Sequence, residues 1–160
     1  MTRPKANRTP PPAPRPAEPR ADYADAFEIV IPESDVRGAE QAFRDGLAAE
    51  AGVLGRLVLR VHRHVLRFRL GPFASSDHAI GWRIVRSDHD EVVLTTDGPL
   101  MRGQLTLRRV DARATLVTQL FFHRKTAARI VWAVVGPLHR ALAPAVMEHS
   151  ARKGVASARS

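Results

Sequence analysis

Four strand-like runs joined by very short turns constrain this chain more than any other feature of its sequence. In residues 80–122, apolar and polar side chains alternate, and turn signals such as Asp97-Gly98-Pro99 separate the runs. Such alternation is typical of strands with one buried face. Parallel strands need a crossover of a dozen residues or more, so these short connections predict an antiparallel meander. The four runs are 80–84, 92–95, 101–108 and 116–122.

A strand and a helix precede the meander. Alternating apolar residues over 26–31 predict a strand, which Pro32 ends. A helix is predicted next, over 36–50, with Ser34 or Asp35 as its N-terminal cap. The apolar side of this helix consists of Val36, Ala39, Phe43 and Leu47.

Residues 53–70 are apolar enough for a strand or a helix, and their arginines decide between the two. Four arginines recur at the spacing of one helical face, while valines and leucines fill the opposite side. In a strand, Arg60 and Arg63 would point to opposite faces. We therefore predict a second helix that ends at Gly71-Pro72. The basic helix face consists of Arg56, Arg60, Arg63 and Arg67.

The C-terminal segment predicts a long helix over 126–153, kinked at Gly136 by Pro137. Residues 127–147 are mostly apolar but include Arg129, and a mid-span arginine costs about 2.5 to 3.5 kcal/mol on insertion into a membrane. The segment is therefore expected to be a buried helix of a soluble, cytoplasmic protein. Its predicted inward face consists of Ile130, Val131, Val134, Leu138, Leu142 and Val146.

The net charge of +9 is concentrated at the two ends of the chain. Residues 1–20 carry a net +4 and residues 151–160 a net +3, which leaves +2 for the rest. Seven of the twelve prolines lie in the first of these segments. Because proline donates no backbone hydrogen bond, residues 1–21 are predicted to be a disordered arm. A single domain is expected over 22–153, followed by a flexible tail over 154–160.

Three short motifs and the order of the elements resemble a known superfamily. The motifs are Asp22-Tyr23-Ala24-Asp25-Ala26-Phe27, Gly81-Trp82, and Arg129-Ile130-Val131-Trp132 with Gly136-Pro137-Leu138-His139-Arg140. Over about residues 21–153 they resemble the bacterial family called domain of unknown function 2867. The order β-α-α-β-β-β-β-α is similar to the α+β helix-grip fold of the START/polyketide-cyclase (SRPBCC) superfamily, in which the sheet wraps around the last helix. The resemblance implies a cavity for an apolar small molecule, with chemistry in some members.

Such a cavity would be lined by the inward faces of the strands and by the last helix. A solid core would use the same side chains, and a cavity of about 300 Å³ would distinguish the two cases. Thr118 is the one polar residue on its predicted inward strand face. The candidate lining residues are Trp82, Ile84, Leu105, Leu107, Thr118, Leu120, Phe122, Trp132, Leu138 and His139.

His139 and Arg140 are the candidate catalytic residues. A histidine moves protons near neutral pH, and an arginine holds a carboxylate or enolate oxygen. The sequence fixes no acid beside this pair and contains no nucleophile motif. A capping or ion-pairing role at the bend of the helix is the commoner one, so the sequence favours a protein without enzymatic activity.

The sequence predicts neither a metal site nor a cofactor site. The absence of cysteine excludes disulfides, thiolate metal sites and a cysteine nucleophile. On the predicted helix, His62 and His64 diverge by about 200°. Asp88-His89-Asp90 is typical of a turn, and no glycine-rich phosphate loop occurs.

Three functions follow from these features. The first is non-covalent binding of an apolar or lipid-like small molecule between the sheet and the C-terminal helix. The second is a peripheral module that contacts an anionic membrane or nucleic acid through the basic helix face and the basic ends. Specific recognition of nucleic acid is not expected, because aromatic residues are not interleaved with the arginines. The third is an enzyme of polyketide-cyclase type.

Overall fold

The computed structural model describes residues 4–14, 16–47, 53–73 and 75–157. Its strands are β1 (Asn7–Thr9), β2 (Tyr23–Val30), β3 (His78–Ala79), β4 (Trp82–Ser87), β5 (Glu91–Asp97), β6 (Met101–Val110) and β7 (Arg113–Phe122). They form one antiparallel sheet in the order β1-β2-β7-β6-β5-β4-β3. The predicted α+β class and the antiparallel meander, β4 to β7, are confirmed.

The hairpin turns explain where the strands begin. Asp88 closes the turn between β4 and β5, because its carboxylate accepts hydrogen bonds from the backbone amides of Asp90 and Glu91. Ile80 was predicted to lie on a strand, but it occupies the turn between β3 and β4. Ile80 and Gly81 there have φ angles of 54° and 78°, which suit a tight two-residue hairpin turn.

Two short strands, β1 and β3, were not predicted. β1 lies within the arm that was predicted to be disordered, where it pairs with β2 through Asn7 opposite Glu28 and Thr9 opposite Ala26. The residue before β1, Ala6, is buried. An edge strand needs few backbone donors, so β1 forms just before the proline run begins. The prediction of disorder is therefore wrong for Asn7–Thr9.

Three helices accompany the sheet, namely α1 (Ala39–Leu47), α2 (Val53–Arg60), which continues as a π-helical turn (Val61–Val65), and α3 (Lys125–Ser157). The predicted helix over 36–50 is shorter at its start, since Val36 lies outside α1 and is exposed; residues 48–50 lie outside the described residues. The predicted helix over 53–70 ends early, after the π-turn. α3 continues through Pro137 and Pro144, and it includes residues 154–157 of the predicted tail.

A buried ion-pair cluster ties the loop before α1 to the end of β6. The Asp35 carboxylate accepts a hydrogen bond from Arg37 Nη2 at 2.7 Å and forms an ion pair with Arg109 Nη2 at 3.0 Å, while Arg109 Nη2 donates to the Asp35 backbone carbonyl at 3.1 Å. Arg37 also pairs with Asp45, and Arg109 Nη1 donates to the backbone carbonyl of Arg37. Burial raises the pKa of the Asp35 carboxyl, but the hydrogen bond from Arg37 and the charges of both arginines outweigh burial and lower it. Because guanidinium groups hold this carboxylate, Asp35 does not cap a helix, and α1 begins at Ala39.

α3 turns a different face towards the sheet from the one predicted. Trp132, Val135 and Ala143 are buried, whereas Ile130 and Val134, which were predicted to face inward, are 63% and 74% exposed. The helix is apolar on both sides, so the spacing of its apolar residues does not select one face. The other predicted inward residues, Val131, Leu138, Leu142 and Val146, are partly buried.

α3 is also long and apolar enough to cross a membrane when judged by length and composition alone, and it is the one such helix in the described part of the chain. Its most apolar 18 residues have a mean hydropathy of 1.4, and 22% of that stretch is buried in the protein. The inner side of α3 packs against α1, β2 and β7. The expectation that α3 is buried is therefore wrong for the side of the helix that faces away from the sheet, where Ile130 and Val134 are exposed.

Candidate ligand-binding site

A cavity of about 120 Å³ lies between the sheet, α3 and the segment formed by α2 and its π-turn. Its walls are apolar apart from Thr118, His62 and His139 and the indole N–H groups of two tryptophans. The lining residues are Phe43, Leu47, Val58, Val61, His62, Leu66, Phe68, Ile80, Trp82, Leu105, Leu116, Thr118, Leu120, Trp132, Val135, Leu138, His139, Leu142, Ala143 and Val146. The volume is less than half of the roughly 300 Å³ that was expected to distinguish a ligand cavity from a solid core, so the structure does not meet that criterion, and only a molecule much smaller than a drug would fit.

Most of the residues predicted to line a cavity do so. Those in the lining are Trp82, Leu105, Thr118, Leu120, Trp132, Leu138 and His139. The other three are elsewhere: Leu107 lines a separate space of about 20 Å³, while Ile84 and Phe122 pack against the hydrophobic core. Strand alternation thus selects the correct face of the sheet but not the part of that face that borders the cavity.

Aromatic rings form the wall on the side of β4. The ring of Phe68 meets that of Trp82 edge-on, with centroids 5.4 Å apart. Gly103 on β6 makes room for this pair, because a Cβ atom at that position would lie 2.6 Å from Trp82 Cη2. The indole Nε1–H of Trp82 donates to Nδ1 of His62 at 3.4 Å.

His62 is held neutral inside this wall. Burial lowers the pKa of its imidazole to about 4, and the charge of His139 acts in the same direction. At neutral pH His62 is therefore uncharged, with Nδ1 accepting from Trp82 and the proton on Nε2. The cavity keeps its low polarity on this side.

A hydrogen-bonded cluster of Tyr23, Asp25 and His139 lies at the end of the cavity nearest β2. The fully buried Asp25 carboxylate accepts a hydrogen bond from the Tyr23 hydroxyl at 2.6 Å and faces His139 Nε2 at 3.3 Å. The ring of Trp132 packs against both partners, 4.9 Å from Tyr23 and 5.4 Å from His139.

The pKa shifts in this cluster determine which atoms carry protons. Burial raises the pKa of the Asp25 carboxyl, but the hydrogen bond and charge of His139, together with the Tyr23 and Thr118 hydroxyls, outweigh burial and lower it. Burial and Asp25 raise the pKa of the Tyr23 hydroxyl, which Arg140 partly offsets. Asp25 is therefore ionised and Tyr23 protonated at neutral pH. An ionised carboxylate only accepts, so Nε2 of His139 carries the proton and Nδ1 is the free nitrogen when the ring is neutral.

One buried polar group in the lining, Trp132 Nε1, has no hydrogen-bond partner among the described residues. Unpaired buried polar groups are uncommon and are often explained by a ligand or water. The Thr118 hydroxyl lies opposite Asp25 in the pairing of β2 with β7, where it helps to lower the pKa of that carboxyl. The positions of Trp132 Nε1 and the Thr118 hydroxyl give the cavity a polar end.

Asp25 and Tyr23 were not predicted as site residues. The predicted strand began at residue 26, whereas β2 begins at Tyr23. Extending the inward alternation of Ile29 and Phe27 backwards by two residues leads to Asp25, and this signal was available in the sequence.

The basic helix face is only partly helical. Arg56, Arg60 and Arg63 are exposed on α2 and its π-turn. Arg67 lies beyond the π-turn, with a left-handed φ of 56°, so it does not continue the face. Across the described ranges, no group of three or more His, Asp or Glu side chains is placed to hold a metal ion.

No protein-family model, no curated protein and no solved structure matches the chain. The resemblance to the domain of unknown function 2867 family and to the SRPBCC superfamily stays a prediction.

Proposed function

We propose that the protein is a helix-grip domain that binds a small apolar molecule non-covalently between the sheet and α3. The observation that supports this most directly is an apolar core cavity with a polar end at Thr118, Trp132 and His139. The seven strands, instead of the five predicted, also agree with a helix-grip sheet.

The chemistry of the lining defines the ligand. An apolar cavity of about 150 Å³ is known to hold benzene, so about 120 Å³ fits a single ring or an alkyl chain of similar bulk. Among the residues that the structure describes, the lining includes no lysine, arginine or carboxylate, which favours a neutral molecule. One oxygen function on the ligand would accept a hydrogen bond from Trp132 Nε1.

We expect native mass spectrometry of protein purified from its host to show a retained small molecule. The Ala143→Phe variant should lose at least nine-tenths of it, because the added ring fills a cavity of roughly the volume of benzene. Filling the cavity should also leave the melting temperature unchanged or raise it, since the lining gains van der Waals contacts.

Ala133→Phe is the matched control, since Ala133 lies on the same helix but is exposed. This control should retain the ligand like the wild type. If the wild type carries no ligand, and if benzene, phenol and acetophenone all fail to raise its melting temperature, the binding function is contradicted. Equal retention by Ala143→Phe and the wild type would place the ligand outside the cavity.

A second candidate function is proton transfer on the bound molecule, and the Asp25–His139 pair favours it. Asp25 holds Nε2 of His139, which leaves Nδ1 as the basic nitrogen of a residue in the cavity wall. The sequence did not identify an acidic partner for His139. That partner is Asp25 on β2, 114 residues away in the chain. Arg140, the other candidate catalytic residue, does not line the cavity.

If His139 is a general base, wild type and His139→Gln should retain different isomers, which have the same mass because only a proton moves and which are therefore distinguished by chromatographic retention and fragmentation of the released ligand. The wild type would hold the product and His139→Gln the unconverted substrate, because glutamine keeps a hydrogen bond but cannot carry the proton. His64→Gln, at an exposed position, is the control and should match the wild type. Identical ligands in all three proteins would contradict catalysis and leave binding as the function.

A further inference from the structure

An exposed apolar surface runs along the side of α3 that faces away from the sheet. We call it the outer stripe, and it consists of Ala127, Ile130, Val134, Pro137, Ala141 and Ala145, all exposed. These residues recur at intervals of three and four, so they share one side of the helix. From the first to the last, 18 residues apart, the stripe extends about 27 Å.

The outer stripe is a second apolar side on a helix that already has one against the sheet. Trp132, Val135 and Ala143 bury the inner side, yet Ile130 and Val134 remain 63% and 74% exposed. A helix that is apolar all round is normally enclosed by protein or lipid. Contiguous exposed apolar surface on a soluble domain marks an interaction site.

The charges near the N-terminal end of the outer stripe are of one sign, while at its C-terminal end Glu148 lies between Ala145 and Arg152. Arg124, Lys125 and Arg129 are exposed near its N-terminal end, and Arg152 is exposed beyond its C-terminal end. The chain has no acidic residue between Asp111 and Glu148, although that segment contains five arginines and lysines. An apolar strip with basic flanks is the pattern of a helix that lies in the surface of an anionic membrane.

We propose that the outer stripe of α3 is a peripheral contact surface for an anionic lipid membrane. Ile130 and Val134 enter the boundary between headgroups and acyl chains, while the aliphatic stems of the flanking arginines and Lys125 let their charges reach lipid phosphates. The inner side of α3 keeps its contacts with the sheet, so the domain binds without unfolding.

The charges favour a membrane over a second copy of the chain. Two outer stripes packed together would bury apolar side chains but would bring two identical, basic surfaces towards each other. Like charges oppose such a pairing, whereas each cation gains by approaching anionic lipid.

The test is co-sedimentation of the full chain with vesicles of phosphatidylcholine, either alone or mixed with phosphatidylglycerol. The wild type should bind the mixed vesicles more strongly and should dissociate as ionic strength rises. The double variant Ile130→Asp/Val134→Asp should lower the partition constant on mixed vesicles at least about tenfold. The two apolar side chains that would enter the membrane are lost, and two negative charges are added.

Val30→Asp/Val36→Asp is the matched control. It makes the same change in charge at two residues that are 65% and 80% exposed but lie outside α3. This control should bind nearly as well as the wild type if the apolar contact is local, and circular dichroism should show that both variants fold.

Three results would overturn the proposal. One is equal loss of vesicle binding in the two double variants. Another is a stable wild-type dimer in light scattering that Ile130→Asp/Val134→Asp dissociates, which would assign the outer stripe to a second copy. The last is loss of binding in Arg56→Gln/Arg60→Gln while the α3 variant still binds, which would place the contact on α2.

Discussion

Replacing Asp35 with alanine is expected to lower the free energy of unfolding by about 3 to 5 kcal/mol. The Asp35 side chain is 1% exposed, and its two arginine partners, Arg37 and Arg109, are 9% and 6% exposed. Removal of the carboxylate leaves Arg109 buried without its counter-charge, which costs far more than the loss of a surface pair. Urea unfolding, followed by circular dichroism at neutral pH, measures the change.

Asp97→Ala provides the comparison for this prediction. Asp97 pairs with His123 at 2.8 Å, but the two side chains are 55% and 46% exposed, so its loss should cost less than about 1 kcal/mol. Asp35→Ala/Arg109→Met should recover part of the stability lost in Asp35→Ala, since it removes the unpaired charge as well. A cost for Asp35→Ala as small as that for Asp97→Ala would contradict the buried-pair account.

Lowering the pH from 7 to 5 should destabilise the protein by about 2 kcal/mol through His62 alone. The pKa of His62 is about 4 in the folded protein against an ordinary value of 6.5. The unfolded chain therefore binds a proton at a pH where the folded protein does not, and stability falls as the pH falls from 6.5 towards 4. Asp25 and Asp35, whose pKa values lie below 3.8, lose their contributions only at lower pH.

His62→Gln separates this effect from other titrations. The variant should lack about 2 kcal/mol of the pH dependence between pH 7 and 5, even though the lost packing lowers its stability at both values. Unfolding free energies from urea titrations at the two pH values give the comparison. The same decrease in wild type and variant would show that His62 is not the group responsible.

Local patterns in the sequence predict the meander and much of the cavity wall. Alternation assigns Trp82, Leu105 and Leu120 to one face of the sheet because a strand places every second side chain on the same side. The same alternation places Asp25 on the inward face of β2 if the strand is taken to begin at Tyr23. The site residue that the interpretation missed was therefore predictable in principle.

Contacts between distant segments were not predictable in the same way. Nothing local to Asp35 indicates that Arg109, at the far end of β6, will take its carboxylate, so the residue was interpreted as a helix cap. Ile130 and Val134 were assigned to the core because α3 is apolar on both sides. In each case the residue type admits two environments, and only the tertiary arrangement selects one of them.

The position of β2 in the sheet has a consequence for how the protein folds as it is synthesised. Tyr23 pairs with Leu120 and Val30 with Arg113, so β2 leaves the ribosome long before its partner β7 exists. At 5 to 20 residues per second, roughly 90 intervening residues impose a delay of roughly 5 to 20 seconds. During that time a nascent strand rich in apolar residues lacks its main partner, so its apolar face stays unpaired until β7 has been made. The Asp25–His139 contact can form only after α3 has been made, which sets the closing of the cavity among the last steps of folding.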